Sequence, residues 1–115
     1  MRLTLPDDSL KNMFVIYKST VDTGLTMYKF YWDNGKLQGI SYFRGNMKTG
    51  PWIRFFDDGK ISFQGSFQNG KKVGQHRVYF PNGKLSSQEQ YNNDLKSGPG
   101  YYYNPDGSVK EDTAK

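Results

Sequence analysis

Three groups of residues in this sequence could do chemistry. His76, the lone histidine, could act as a general base or hold a metal. Asp57 and Asp58 set two carboxylates side by side, the raw material of acid–base work. Lysines recur at 36, 60 and 84, and again at 48, 72 and 96, a spacing that could meet a regular set of anions. A metal site needs further ligands, and no His/Asp/Glu cluster at ligand spacing accompanies His76 in the sequence. No residue pattern singles out a Ser-His-Asp arrangement either. The Asp pair sits within a turn signal, where Asp is favoured for its bonds to nearby backbone. No phosphate-cradling glycine motif is present, because every glycine follows turn logic. The reading is of a protein that is not an enzyme and takes neither metal nor cofactor.

The lysine spacing belongs to a larger pattern. Gly35, Gly59, Gly83 and Gly107 fall 24 residues apart, and Gly50, Gly74 and Gly98 keep the same period. Asn34, Asp58, Asn82 and Asp106 precede the first series; Leu37, Ile61, Leu85 and Val109 follow it two residues on. Aromatic columns repeat as well: Tyr31, Phe55, Tyr79 and Tyr103; Trp32, Phe56 and Phe80; Phe43, Phe67 and Tyr91. Such self-similarity marks a repeat architecture. The units run from about 26 to 49, 50 to 73 and 74 to 97, with a truncated unit from Gly98.

Each unit reads as a β-hairpin. Asp-Gly or Asn-Gly turns between aromatic-rich runs are the strongest short-range hairpin signal. Strands are expected near 28–32, 37–43, 52–56, 61–67, 76–80, 85–91 and 100–103. In the second strand, alternation puts Ile61, Phe63 and Phe67 on one face and Ser62, Gln64 and Ser66 on the other. Repeat three alternates less cleanly, with Ser87 and Glu89 between Leu85 and Tyr91. Pro81 and Pro105 fix φ near −65°, which suits the first central position of a type I turn followed by a bulged glycine. A two-residue type I′ turn is the rival, and the choice decides whether Phe55 or Phe56 shares a face with Ile61.

The composition fits. The chain has 115 residues, 17% aromatic and 23% charged, too aromatic for a disordered chain and sized for one domain. A net charge of +5 is an ordinary solubility margin that also suits an anionic partner. With only four arginines, nucleic acid is a poor fit. There are no cysteines, so disulfides and thiolate metal sites are excluded. Met1 to Asp8 carry no apolar run long enough for a signal peptide or membrane span, and a cytoplasmic address is the expectation.

Gly50-Pro51-Trp52-Ile53-Arg54-Phe55-Phe56-Asp57-Asp58-Gly59-Lys60-Ile61, followed by Phe67-Gln68-Asn69-Gly70-Lys71, resembles the bacterial variant of the MORN repeat. The resemblance covers about residues 26–109. Departures are His76 and Gly100 in the Trp52 column, Asn104 in the Phe56 column and Thr26 in place of glycine. The resemblance implies an all-β fold, an antiparallel meander of seven or eight strands in stacked hairpins. Residues 1–25 then form an N-terminal capping segment in which Val15-Ile16-Tyr17 is a leading strand, 26–109 the repeat domain, and 110–115 a tail. It also implies a module that binds another protein, in the manner of antitoxin or immunity proteins that neutralise a toxin. The wider family implies an alternative, a peripheral adaptor whose lysines meet anionic phospholipid.

The residues expected to carry recognition are Trp32, Trp52, Phe55, Phe56, Tyr79 and Phe80, with Lys36, Lys60 and Lys84 beside them. Both members of an adjacent aromatic pair cannot point the same way, so one column should be buried and the other face outward. Turn lysines also serve solubility and discourage edge pairing, without any partner.

Overall fold

The computed structural model describes residues 2–4 and 14–110. Its strands are β1 (Arg2–Thr4), β2 (Phe14–Lys18), β3 (Leu25–Tyr31), β4 (Leu37–Arg44), β5 (Met47–Phe55), β6 (Ile61–Gln68), β7 (Lys71–Tyr79), β8 (Leu85–Asn92), β9 (Leu95–Lys96) and β10 (Tyr101–Tyr102). They form one antiparallel sheet in sequence order, with β9 and β10 both pairing β8. The fold is all-β, a meander of stacked hairpins, with ten strands rather than seven or eight. Val15, Ile16 and Tyr17 lie in β2, which pairs β3 and covers the edge of the first repeat. The rest of the proposed capping segment, 5–13, and the tail beyond Lys110 lie outside the described residues.

The two edges of the sheet turn differently. Along the first edge, the Gly59 N–H donates to the Phe56 carbonyl at 3.0 Å, and the Phe56 N–H to the Lys60 carbonyl at 2.7 Å. The same pair of bonds closes the turns at Trp32, Phe80 and Asn104. This is the type I turn with a bulged glycine, and Gly59 has φ 97°. The Asn34, Asp58, Asn82 and Asp106 side-chain oxygens each accept the N–H two residues on, at 2.8–2.9 Å. Local capping of this kind is why Asn and Asp hold that column. Along the second edge, two residues suffice. Asn69 and Gly70 have φ 53° and 82°, and Asn93 and Asp94 repeat the geometry at 50° and 73°, the double left-handed signature of a type I′ turn.

That economy explains why β5 and β7 begin at Met47 and Lys71, about five residues before the expected starts. A two-residue turn leaves no loop, so residues that read as connection join the ladder.

Two irregularities recur from unit to unit. Ile40 pairs Ile53 and Tyr42 pairs Thr49, so Ser41 alone faces Gly50-Pro51-Trp52. The same wide bulge sets Gly65 against Gly74-Gln75-His76. Gly50 and Gly74 have φ 66° and 74° there, and the strands bend. Nearer the first edge, Phe55 pairs Ile61 while Arg54 pairs Phe63, which leaves Ser62 as an extra residue. The bulge reverses the alternation. Ile61 therefore shares a face with Phe55 and lies opposite Phe63 and Phe67, which corrects the single apolar face expected from periodicity. Leu85, paired with Tyr79, is separated from Ser87, Glu89 and Tyr91 in the same way.

The sheet is one layer thick, so little is fully buried. Within the strands, the buried residues are Gly39, Ser41, Trp52, Gly65 and His76, and pairing places all five on one face. We call this the ring face.

Candidate functional site: a ring face and its lysines

Rings follow one another along the ring face. Phe43 lies 5.3 Å from Trp52, Trp52 4.9 Å from Phe67, Phe67 5.4 Å from His76, and His76 5.0 Å from Tyr91, centroid to centroid. At the N-terminal end, Phe14, Tyr28 and Phe30 continue the array, with Tyr28 edge-on to Phe43 at 5.4 Å. Tilted and edge-to-face rings at these distances are favourable aromatic pairs. Phe14, Tyr28, Phe30 and Phe43 wall an open hollow of about 400 Å³.

Trp52, 8% exposed, closes the bend. Its indole Nε1–H donates to the Tyr42 and Thr49 carbonyls, both at 3.1 Å. These carbonyls flank the bulge, where strand pairing lapses and acceptors would otherwise go unmet. His76, 6% exposed, stands one repeat later and does the same. Its Nε2 is 2.9 Å from the Ser66 carbonyl, which can only accept, so the proton sits on Nε2. The histidine is thus a smaller replacement for tryptophan in a structural seat. In the next unit Gly100 leaves the seat vacant, and the Tyr102 phenol enters it. That phenol and the Tyr91 hydroxyl, the latter at 2.7 Å, both donate to Glu89. These two bonds, Tyr102 first, hold the Glu89 carboxyl below its ordinary range.

The expected recognition residues are divided among three places. Trp52 is packed into the ring face and buried. Phe55 and Tyr79 lie on the opposite face, paired with Ile61 and Leu85. Trp32, Phe56 and Phe80 close the turns of the first edge, where Lys36, Lys60 and Lys84 are exposed. Lys60 meets Asp58 there at 3.6 Å, and the Asn34 and Asn82 amides donate to the next turn's carbonyl at 3.0 and 2.7 Å. Both the 55 and 56 columns are half-buried. The expectation that one of the two is buried is therefore corrected: the buried column is 52/76, because only at the bend does the backbone wrap a side chain. The Trp32 Nε1 is buried with no hydrogen-bond partner among the described residues.

The other lysine column sits on the ring face itself. Lys48 pairs across from Phe43, Lys72 from Phe67 and Lys96 from Tyr91. The Lys48 ammonium lies 5.0 Å from the Trp52 ring and 5.1 Å from Phe67; that of Lys72 lies 4.7 Å from Tyr91. Lys48 thus rides over two rings of the unit that follows it and Lys72 over one, each within cation–π range. Arg54 adds a half-buried cation beside Trp52 and Phe30 and donates to Ser41 Oγ at 3.2 Å. The period in the sequence identifies the column. The pairing across the second edge was needed to place it among rings.

Among solved structures the chain is similar to TarM, at 17% identity and a TM-score of 0.46, over 83% of this chain and 20% of TarM. The chain thus spans about a fifth of that protein, and a likeness at this level carries no inference about function. No curated protein matches the chain. The MORN repeat variant pattern matches at 27–44, 48–69 and 72–93, more than half of the chain and the same hairpins seen in the sheet. The chain belongs to the MORN repeat variant family, whose repeats are protein- or membrane-binding modules.

Proposed function

We propose that the chain is a non-enzymatic protein-binding module of the bacterial cytoplasm, and that its partner is a toxin it neutralises by binding. One observation carries the binding reading: a single-layer sheet presents half-exposed rings and lysines on a rigid scaffold, and the described residues place no second layer over either face. Aromatic patches rimmed by charge are what protein interfaces use. The toxin reading rests on the resemblance to immunity-type repeat proteins. It is tested by co-expression with a toxin-like protein encoded beside this chain's own gene. Restored growth together with a co-purifying complex supports the reading. Unrelieved toxicity with no complex sinks it.

The exposed column Lys36, Lys60 and Lys84 on one edge favours a second reading, contact with anionic phospholipid. Flotation with phosphatidylserine vesicles separates the two. Binding that vanishes in Lys36→Gln/Lys60→Gln/Lys84→Gln, in a chain that ignores protein partners, selects the membrane.

A further inference from the structure

We infer that the ring-face ladder of Lys48, Lys72 and Lys96 is a docking strip for an extended acidic segment of the partner, laid across the strands with a carboxylate at every third residue. The inference rests on the protein-binding reading and adds the chemistry and spacing of what is bound.

Geometry comes first. Lys48, Lys72 and Lys96 stand directly across from Phe43, Phe67 and Tyr91, so ring and ammonium alternate along the array. Successive lysines are two strands apart. The Gly70 N–H bonds to the Lys48 carbonyl and the Asp94 N–H to that of Lys72, which staggers each unit along the strand by about two residues. Two strand spacings with that stagger put the ammonium groups roughly 10–12 Å apart. A peptide in the extended polyproline II conformation advances about 3.1 Å per residue with three residues per turn, so every third side chain returns to the same face about 9 Å on, within reach of successive lysines.

Charge and order point the same way. None of the three lysines has a carboxylate within ion-pair distance among the described residues, where the ion pairs are Arg44–Asp22 and Lys60–Asp58. The carboxylate nearest the strip, Glu89, accepts bonds from Tyr91 and Tyr102 and attracts Lys96 and Lys72 only from beyond ion-pair distance. Lys48 and Lys72 are instead held over rings, which positions their ammonium groups without an ion pair. A long side chain already restricted loses less freedom on binding. The Lys60 column differs, since its ammonium is shared with Asp58. An extended single strand of nucleic acid spaces its phosphates more closely than this, and among the described residues Arg54 is the one arginine that reaches the rings.

The test uses the full chain and synthetic peptides. One Ser/Thr peptide carries Asp at every third residue; another of the same composition carries Asp at alternate residues. Titration is followed by Trp52 fluorescence in a Trp32→Phe background, because Lys48 lies on the Trp52 ring. The expected result is binding of the every-third peptide at least about tenfold tighter than the other, falling with salt. It should be lost in Lys48→Gln/Lys72→Gln/Lys96→Gln and retained in Lys36→Gln/Lys60→Gln/Lys84→Gln. Circular dichroism confirms that both triple variants fold. Equal binding of the two peptides, or equal loss in the two triple variants, overturns the strip. Capture of the co-encoded toxin by a chain that binds neither peptide overturns it while leaving protein binding intact. Binding of phosphatidylserine vesicles through these lysines, without peptide binding, overturns it in favour of a membrane.

Discussion

His76 bonds the Ser66 carbonyl through Nε2 at 2.9 Å, as the Trp52 indole bonds Tyr42 one repeat earlier. The shared role predicts how the position tolerates change. His76→Ala removes both the ring and the donor and should cost about 2–3 kcal/mol, the sum of a lost buried side chain and an unmet carbonyl. His76→Trp should cost less than about 1 kcal/mol, since the neighbouring unit seats an indole there. Urea denaturation of the two variants gives the comparison; equal losses would contradict the shared seat.

Gly65 lies under the His76 ring, and an added Cβ would stand 2.6 Å from Nδ1. Gly65→Ala should therefore destabilise by about 1–3 kcal/mol through overpacking. Its cost should shrink in the His76→Ala background, where the obstacle is gone. A double-mutant cycle with no coupling would show that the ring is not the constraint.

The two tryptophans should answer oppositely to the same substitution. Trp52→Phe removes a donor shared by two carbonyls and should cost about 1–2 kcal/mol. Trp32→Phe removes a buried N–H that has no partner among the described residues, and should leave the denaturation midpoint unchanged or raise it.

At Gly59, with φ 97°, a β-branched residue meets a conformation it rarely adopts. Gly59→Val should cost about 1–2 kcal/mol, with no steric neighbour to blame, since an added Cβ meets nothing within 4 Å. An unchanged midpoint would refute the bulged turn.

Glu89 gives the C-terminal unit a pH dependence. Its folded pKa lies below the ordinary 4.5 because Tyr102 and Tyr91 donate to the carboxylate. The stabilisation is thus complete above the unfolded value and fades as pH falls toward the folded one. Glu89→Gln should flatten the acid limb of the stability curve below about pH 5 by lowering its neutral part toward the acid value. An identical acid limb in the variant would show that these bonds add nothing.

The hairpins were legible because each turn is local. Asn or Asp before glycine, and proline before that, prescribe the turn within four residues, and the 24-residue period repeats it. The facing of side chains was not legible. It depends on Ser62 and its equivalents bulging out of a ladder, and on Ser41 facing three residues of the next strand. Neither event changes the alternation written in one strand; both arise from the match between two. The period put His76 in the Trp52 column, but its bond was hidden for the same reason, since its partner at Ser66 belongs to the neighbouring strand. The expected recognition residues were chosen by size and repetition, and these do not distinguish a wrapped indole such as Trp52 from a half-open Phe55.

Gly100 and Tyr102 show that a unit can refill its seat without changing its length. Where Trp52 and His76 each fill the seat from their own column, Gly100 leaves it to the phenol of Tyr102. A further block of 24 residues spliced in ahead of Gly100 would copy turns, bulges and lysines alike, and lengthen the protein as one graduation lengthens a ruler, by about 10 Å.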